Sequence, residues 1–291
     1  MRCLLSLAVM AVIAVGAPAA AKAQTRWAVY VMNADGSEVK KVSRLDASYC
    51  GSPGWARDGK RLAFDVTPAT FDFSKSHVHV QTLGEATTTD LGAGNTPCFS
   101  PDDSQILFFL PNPAGSLKKG IWVMNADGSG REWLSEGERP RWSPDGDKIV
   151  YTSSHEGFAS IYILDTLTLE RTRVLDRGYY EIIGATWSPD GKELALIGYK
   201  GGRQDKGGKG ELAVVTATAN QPPRTLYQSS VGWQPDWSPD GKTLLFREVV
   251  GNQERIHLLT IGSERSRMVP GQLSGRNGDA VWSPDGKQIA F

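Results

Sequence analysis

Trp237-Ser238-Pro239-Asp240-Gly241-Lys242-Thr243-Leu244-Leu245-Phe246 is the stretch on which the reading of this chain turns. Pro239 presets φ for the first central position of a type I turn, Asp240 suits the second, and Gly241 supplies the left-handed residue that closes it. Apolar residues flank the turn on both sides, so the segment reads as a tight hairpin. Versions of it recur at the aromatic anchors Trp55, Phe99, Trp142, Trp187, Trp237 and Trp282, spaced 44, 43, 45, 50 and 45 residues apart. A self-similar unit of that length corresponds to one four-stranded blade of a β-propeller.

The strand after each turn is a continuous apolar run, as in Ile106-Leu107-Phe108, Ile149-Val150-Tyr151 and Leu194-Ala195-Leu196. Such runs fit strands covered on both faces, as each blade is by its neighbours. Third strands are predicted at residues 120–124, 160–165 and 255–259, and short fourth strands at 131–134, 172–175, 224–227 and 267–269. No stretch carries helical periodicity with caps. The chain opens on a different unit: residues 27–36 match the third-strand unit around Trp122, whereas residues 288–291 at the other end form a second strand. Strands three and four at one end therefore complement strands one and two at the other. The expected fold is an all-β, six-bladed β-propeller whose last blade is closed by N-terminal strands, residues 29–32 pairing with 288–291. Closure of this kind leaves no free sheet edge inside the ring.

Residues 1–23 read as an export signal: Arg2 starts it, residues 4–16 form an apolar core, and Ala21-Lys22-Ala23 is a small-residue cleavage site. The propeller then spans 24–291, about 45 residues for each of six blades, with no length left for a separate catalytic domain. The full chain balances 32 basic against 32 acidic residues, and loss of Arg2 and Lys22 brings the mature chain to −2. That charge excludes the basic excess of nucleic-acid binders. A monomer without a membrane span after cleavage is expected. Cys50 and Cys98 survive cleavage into a compartment that permits disulfides. Geometry argues against pairing them, because they lie on the same face of equivalent strands, about 13 Å apart in level at ~3.3 Å per residue.

Candidate chemistry in the motifs is thin. The repeated aspartates (Asp58, Asp102, Asp145, Asp190, Asp240, Asp285) read as turn residues, each far from the next around one rim. The repeat departs from itself twice: Ala56-Arg57 replaces Ser-Pro, and Asp103 replaces the turn glycine, a mild backbone cost. Asn125-Ala126-Asp127-Gly128-Ser129-Gly130 resembles a calcium loop but lacks the leading Asp and has a sister turn at residues 33–37. His77 and His79 share a strand face, a geometry compatible with a metal pair, without a visible third ligand. His155 and His257 fall in other blades. Gly207-Gly208-Lys209-Gly210 lacks the spacing of a phosphate loop, and no hydrolase or deaminase signature is present. No cofactor or metal is expected.

The two rims differ within this one chain. One is built from near-identical turns. The other carries long, dissimilar connections at 44–50, 67–76, 111–119, 176–183, 199–210, 229–234 and 271–279. Rigid scaffolds place binding surfaces on varied loops, and Tyr, Trp and Arg are enriched at binding hot spots. The candidate partner-binding residues are therefore Tyr49, Arg139, Tyr179, Tyr180, Glu181, Trp233 and Asp279, with Asp46, Phe71 and Phe73 beside them.

The Trp-Ser-Pro-Asp-Gly-Lys unit, with the Val-Met-Asn-Ala-Asp-Gly turns, resembles the WD40-like PD40 repeats of the TolB family over essentially the whole mature chain. The resemblance implies a periplasmic propeller of the Tol–Pal envelope system that binds a lipoprotein. TolB carries an α/β domain before its propeller, which has no counterpart expected here. Related propellers cap prolyl oligopeptidases, or act as oligogalacturonate lyases that hold a metal through histidines, a constellation the four histidines here do not reproduce. The leading expectation is an exported, non-enzymatic scaffold binding a protein or peptide of the cell envelope through its variable rim. The alternative is a carbohydrate- or small-molecule-processing enzyme at the channel mouth, which convergent carboxylates with perturbed pKa values would favour.

Overall fold

A computed structural model describes residues 27–45, 47, 49–68, 72–111, 117–154, 157–175, 178–201 and 210–291. The export signal expected over residues 1–23, and with it the domain boundary at 24, lies outside the described residues, as do Asp46, Phe71, His155 and most of the connection at 199–210.

The strands form six four-stranded antiparallel sheets. The chain enters on β1 (Tyr30–Asn33) and β2 (Lys40–Lys41). Blade one follows with β3 (Tyr49–Trp55), β4 (Arg61–Thr67), β5 (His77–Thr82) and β6 (Thr88–Ala93). Blade two has β7 (Asn95–Phe99), β8 (Gln105–Leu110), β9 (Gly120–Asn125) and β10 (Glu132–Ser135). Blade three has β11 (Glu138–Trp142), β12 (Lys148–Ser153), β13 (Ser160–Asp165) and β14 (Arg171–Arg173). Blade four has β15 (Glu181–Trp187), β16 (Glu193–Tyr199), β17 (Gly210–Thr216) and β18 (Arg224–Ser229). Blade five has β19 (Val231–Trp237), β20 (Thr243–Val250), β21 (Gln253–Thr260) and β22 (Arg267–Met268). The last strands, β23 (Val281–Trp282) and β24 (Gln288–Ala290), complete blade six with β1 and β2.

The two chain ends pair as expected, one residue on from the stretch 29–32: Val31 faces Ala290, Met32 faces Ile289 and Asn33 faces Gln288. Tyr30 and Phe291 add a reciprocal pair of backbone hydrogen bonds at 2.8 and 2.9 Å. Six apolar clusters hold the ring, one at each blade interface. The two that flank blade six draw on both chain ends. Val29 and Val31 join Ala290 in one, and Met32 joins Ile289 and Phe291 in the other.

The repeated turn is a small hydrogen-bonded device. In five copies the serine hydroxyl donates to the aspartate two residues on, at 2.5–2.7 Å. The same oxygen accepts the backbone N–H five residues on, at 2.9 Å in all five. Gly241 takes φ +70, the left-handed position that the sequence assigns to it. The aspartates thus work within their own turns; at Asp102 the hydrogen bonds from Ser100 and Ser104 hold the carboxyl at about 2.

Neighbouring turns also touch. A Cβ added to Gly146, Gly191, Gly241 or Gly286 would stand 3.5–3.9 Å from Pro101, Pro144, Pro189 or Pro239 of the preceding blade. Between blades one and two both partners are replaced together. Arg57, unlike proline, has an N–H, and Asp103 sits at φ +61 in place of glycine. The Asp103 carboxylate accepts from Arg57 N at 2.6 Å and Asp58 N at 3.0 Å, and lies 3.3 Å from the Arg61 guanidinium. The two departures from the repeat answer one another across the seam.

Candidate functional site

The innermost strands β3, β7, β11, β15, β19 and β23 surround the channel. In five of them the pairing register slips just before the anchor aromatic. Ser52, Thr96, Arg139 and Asp279, each three residues before an anchor, adopt left-handed φ between +49 and +55, and Trp233 does so at +60. None is glycine. That conformation costs an L-residue ~1–2 kcal/mol, and such outliers concentrate at functional sites. Here they ring one mouth of the channel. The cavity they enclose measures about 30 Å³, and Ser52, Thr96, Arg139, Arg141, Asp236 and Asp279 are among its walls.

Asp279 is delivered by a loop that is itself pinned to β21. The Gln272 amide exchanges hydrogen bonds with both Ile256 N (2.8 Å) and Ile256 O (2.9 Å), as a neighbouring strand would. Asn277 ties the same loop to Leu273 O at 2.9 Å. Asp279 Oδ2 then accepts from Tyr49 OH at 2.9 Å and Ser52 N at 3.3 Å. Behind this pair Asp65, on β4, is 2% exposed and its Oδ1 has no hydrogen-bond partner. Burial, and then the Asp279 charge, push the Asp65 carboxyl up to about 8. Asp236 accepts from Trp282 N at 2.7 Å, and burial pushes it up to about 7. Burial also raises Asp279, against the pull of Tyr49 and Ser52. Asp236 and Asp279 are hemmed in by protein yet keep part of their surface open to the channel. Arg247 completes the group, paired with Glu254 at 2.6 Å and stacked 5.1 Å from the Trp233 ring.

Beside the channel, a cleft of about 300 Å³ opens between blades three and four, lined by Glu138, Arg139, Thr152, Tyr180 and Glu181 among others. Tyr180 is 63% exposed. Its neighbour Tyr179 is buried, with its hydroxyl donated to Glu211, whose carboxylate also takes Lys200 Nζ at 2.7 Å. Burial, and then Glu211, raise the Tyr179 phenol far above its ordinary value.

The structure therefore sorts the seven candidate residues. Trp233, Asp279 and Arg139 meet at the channel mouth, and Arg139 also reaches the cleft, where Tyr180 and Glu181 lie. Tyr49 and Tyr179 were expected to offer aromatic surface on the rim; both are buried and act as supports, Tyr49 for Asp279 and Tyr179 for the start of β15. Phe73 packs edge-on against Tyr49 at 5.1 Å and remains 42% exposed. Asp65, Asp236, Arg141, Arg247 and Glu254 were not singled out from sequence. A usable signal existed for two of them: Asp65 and Arg247 are charges set within apolar second-strand runs.

The remaining motifs resolve locally. His77 Nδ1 lies 2.9 Å from Asp90, and His79, stacked on Phe64, stands 3.9 Å from the same carboxylate. His257 lies 3.1 Å from both Glu248 and Ser266. Among the described residues no three His, Cys, Asp or Glu side chains are arrayed to hold a metal. The calcium-like turn and its sister share the same bonds: Asn125 to Ser129 and Asn33 to Ser37, each at 2.9 Å. Cys50 and Cys98 are free thiols.

The solved structure of a putative TolB from Agrobacterium tumefaciens superposes with a TM-score of 0.72 at 18% identity, covering 91% of this chain and 97% of that one. An oligogalacturonate lyase in complex with manganese gives a TM-score of 0.55 at 20% identity, over 77% and 68% of the two chains. Both show a shared fold. An uncharacterised protein of Agrobacterium fabrum is 26% identical over 59% of this chain. The Tol-Pal system protein TolB of a Ruegeria species is 36% identical over 26% of it. The matches span 62% and 18% of those relatives' own lengths. The family described as the TolB β-propeller domain, PD40, matches residues 11–225, and the chain belongs to that family.

Proposed function

We propose that this chain is an exported, non-enzymatic propeller scaffold of the cell envelope that binds a protein or peptide partner through its variable rim. The single observation that carries the reading is the contrast in available space. The channel cavity of about 30 Å³ holds roughly two to three waters, at ~10–15 Å³ each by the same kind of measure. The rim beside it offers a cleft ten times larger, edged by an exposed tyrosine and several charges. A recognition surface fits that shape, with Tyr180 as its aromatic anchor. The periplasm, or the space outside the cell, is the location that goes with it, given the TolB relatives and the signal-like start. Among the described residues no helix is long and apolar enough to cross a membrane.

One observation favours a second reading. Asp65, Asp236 and Asp279 are convergent carboxylates with raised pKa values, the kind of set that acid–base catalysis on a carbohydrate or other small molecule uses. A sugar ring does not fit the cavity that Asp236 and Asp279 line, with Asp65 behind them, so the enzyme reading requires the mouth to open. Affinity capture from envelope extracts with wild type and a Tyr180→Ala/Glu181→Ala variant tests the leading reading. A partner retained by wild type and lost by the variant supports it. Equal capture by both, or turnover of oligosaccharides that Asp279→Asn abolishes, contradicts it.

A further inference from the structure

Arg139, at its left-handed position, and Arg141, past the register slip in β11, both line the 30 Å³ cavity. Opposite them are two aspartates at matching depths. Arg139 and Asp279 are each three residues before an anchor; Arg141 and Asp236 are each one before. Each couple interacts electrostatically, since Arg139 lowers the Asp279 carboxyl and Arg141 the Asp236 carboxyl. Among the described residues neither couple closes to an ion pair. Arg139 is paired with Glu138 at 3.7 Å, and Arg141 donates one hydrogen bond, to Pro140 O at 2.8 Å.

The carboxylates already have donors: Trp282 N for Asp236, and Tyr49 OH with Ser52 N for Asp279. A guanidinium has five N–H donors in a rigid fork, and Arg141 uses one of them on protein. Arg141 therefore keeps most of its fork unmet, and the space it faces admits a group of roughly two to three heavy atoms. A carboxylate has that size, is acceptor-only and matches the fork in bidentate fashion. An amine or a carboxamide would turn further donors toward the Arg141 fork.

We propose that the constriction is a carboxylate socket, in which Arg139 and Arg141 take a carboxylate of the bound partner, either its chain terminus or an Asp or Glu side chain. This deepens the reading of the variable rim as a binding face and rests on it. Burial holds Asp236 at about 7, so near neutral pH this carboxyl is about half protonated and opposes a bound anion less than an ordinary aspartate would.

The test uses the full chain with nitrogen-15 arginine labelling, titrated with acetate at constant ionic strength. Acetamide and chloride serve as controls. The side-chain N–H resonances of Arg139 and Arg141 should shift saturably with acetate and not with either control. Affinity should fall at least ten-fold in Arg141→Gln. Arg141→Lys, which keeps the charge and loses the fork, should fall in between and serves if the glutamine variant fails to fold. An acetylated triglycine with a free C-terminus and an amidated Ac-Gly-Glu-Gly separate the two carboxylate sources by which of them displaces acetate. No saturable shift, an equal response to acetamide, unchanged affinity in both Arg139→Gln and Arg141→Gln, or failure of both peptides to displace acetate overturns the proposal. Because acetate binding needs no partner, the socket and the rim reading fail separately.

Discussion

On one rim of the ring, a serine hydroxyl, an aspartate carboxylate and a left-handed glycine close the turn between the first two strands of a blade. In four copies a proline also leans on the next blade's glycine. On the other rim the equivalent ends of the inner strands hold left-handed serine, threonine, arginine, tryptophan and aspartate, and charged side chains are drawn inside. The first rim satisfies its polar groups within a few residues of chain. The second satisfies them across the ring, as where Tyr49 meets Asp279 from 230 residues away. Uniform local bonding suits a scaffold. Strained, long-range and partly unsatisfied bonding suits a surface kept for something else.

That contrast can be broken most severely at the closure, on which both rims depend. Met32→Asp places an unpaired carboxylate in the fully buried interface with Ile289. It should cost about 5 kcal/mol or more, against total stabilities of ~5–15 kcal/mol, whereas Met32→Leu should stay within ~1.5 kcal/mol. Urea denaturation reads both.

A second test concerns the buried charge on the variable side. Asp65 is held at about 8 in the folded chain, against ~3.9 unfolded. A carboxyl raised on folding binds its proton more tightly in the native state, so its contribution is complete below about pH 4 and is lost as pH rises towards 8. The groups facing it are Asp279, Tyr49, Ser52 and Thr96. Asp65→Asn should therefore flatten the fall in stability between pH 5 and pH 8.5, measured by urea midpoints; an unchanged slope would assign the fall elsewhere.

Within the scaffold rim, the exception between blades one and two allows a sharper comparison. Asp103→Gly alone leaves the Arg57 and Asp58 amides without their acceptor, and Arg57→Pro alone takes one donor from the carboxylate. Together they rebuild the contact used elsewhere. The double-mutant cycle should show coupling of roughly 0.5–3 kcal/mol, and strict additivity would mean the two substitutions are unrelated. The smallest effect belongs to an ordinary turn. Ser238→Ala removes one hydroxyl that bonds both Asp240 and Thr243 N, and should cost about 1 kcal/mol by thermal melting with partner binding unchanged.

The fold was legible because its instructions are local and repeated. Trp-Ser-Pro-Asp-Gly specifies a turn wherever it occurs, and the mismatch between the first and last units specifies closure. The site was only half legible, because it depends on which long-range contacts form. Exposed Tyr180 and buried Tyr179 are adjacent in sequence and identical in type. What separates them is Glu211 behind one ring, together with Gly198, which leaves space for that ring. Tyr49 was misplaced for the same reason: its partner Asp279 arrives from the far end of the chain. Asp65 and Arg247 interrupt apolar runs where the second strands emerge towards the variable rim, which is the trace that a charged channel leaves in sequence. Asp236 and Arg141 leave none, since a charge beside an anchor tryptophan looks like any other exposed strand residue until the ring is closed.

The most direct test of the account is site-specific photo-crosslinking, with the reactive residue placed at Tyr180 on the variable rim or at Asp190 on the scaffold rim and exposed to envelope extract. Both positions are solvent-accessible, so the comparison isolates which rim meets a partner. A discrete protein adduct from position 180 and none from position 190 is the predicted result. Adducts from 190 alone, or equally from both, would contradict the assignment of recognition to the variable rim.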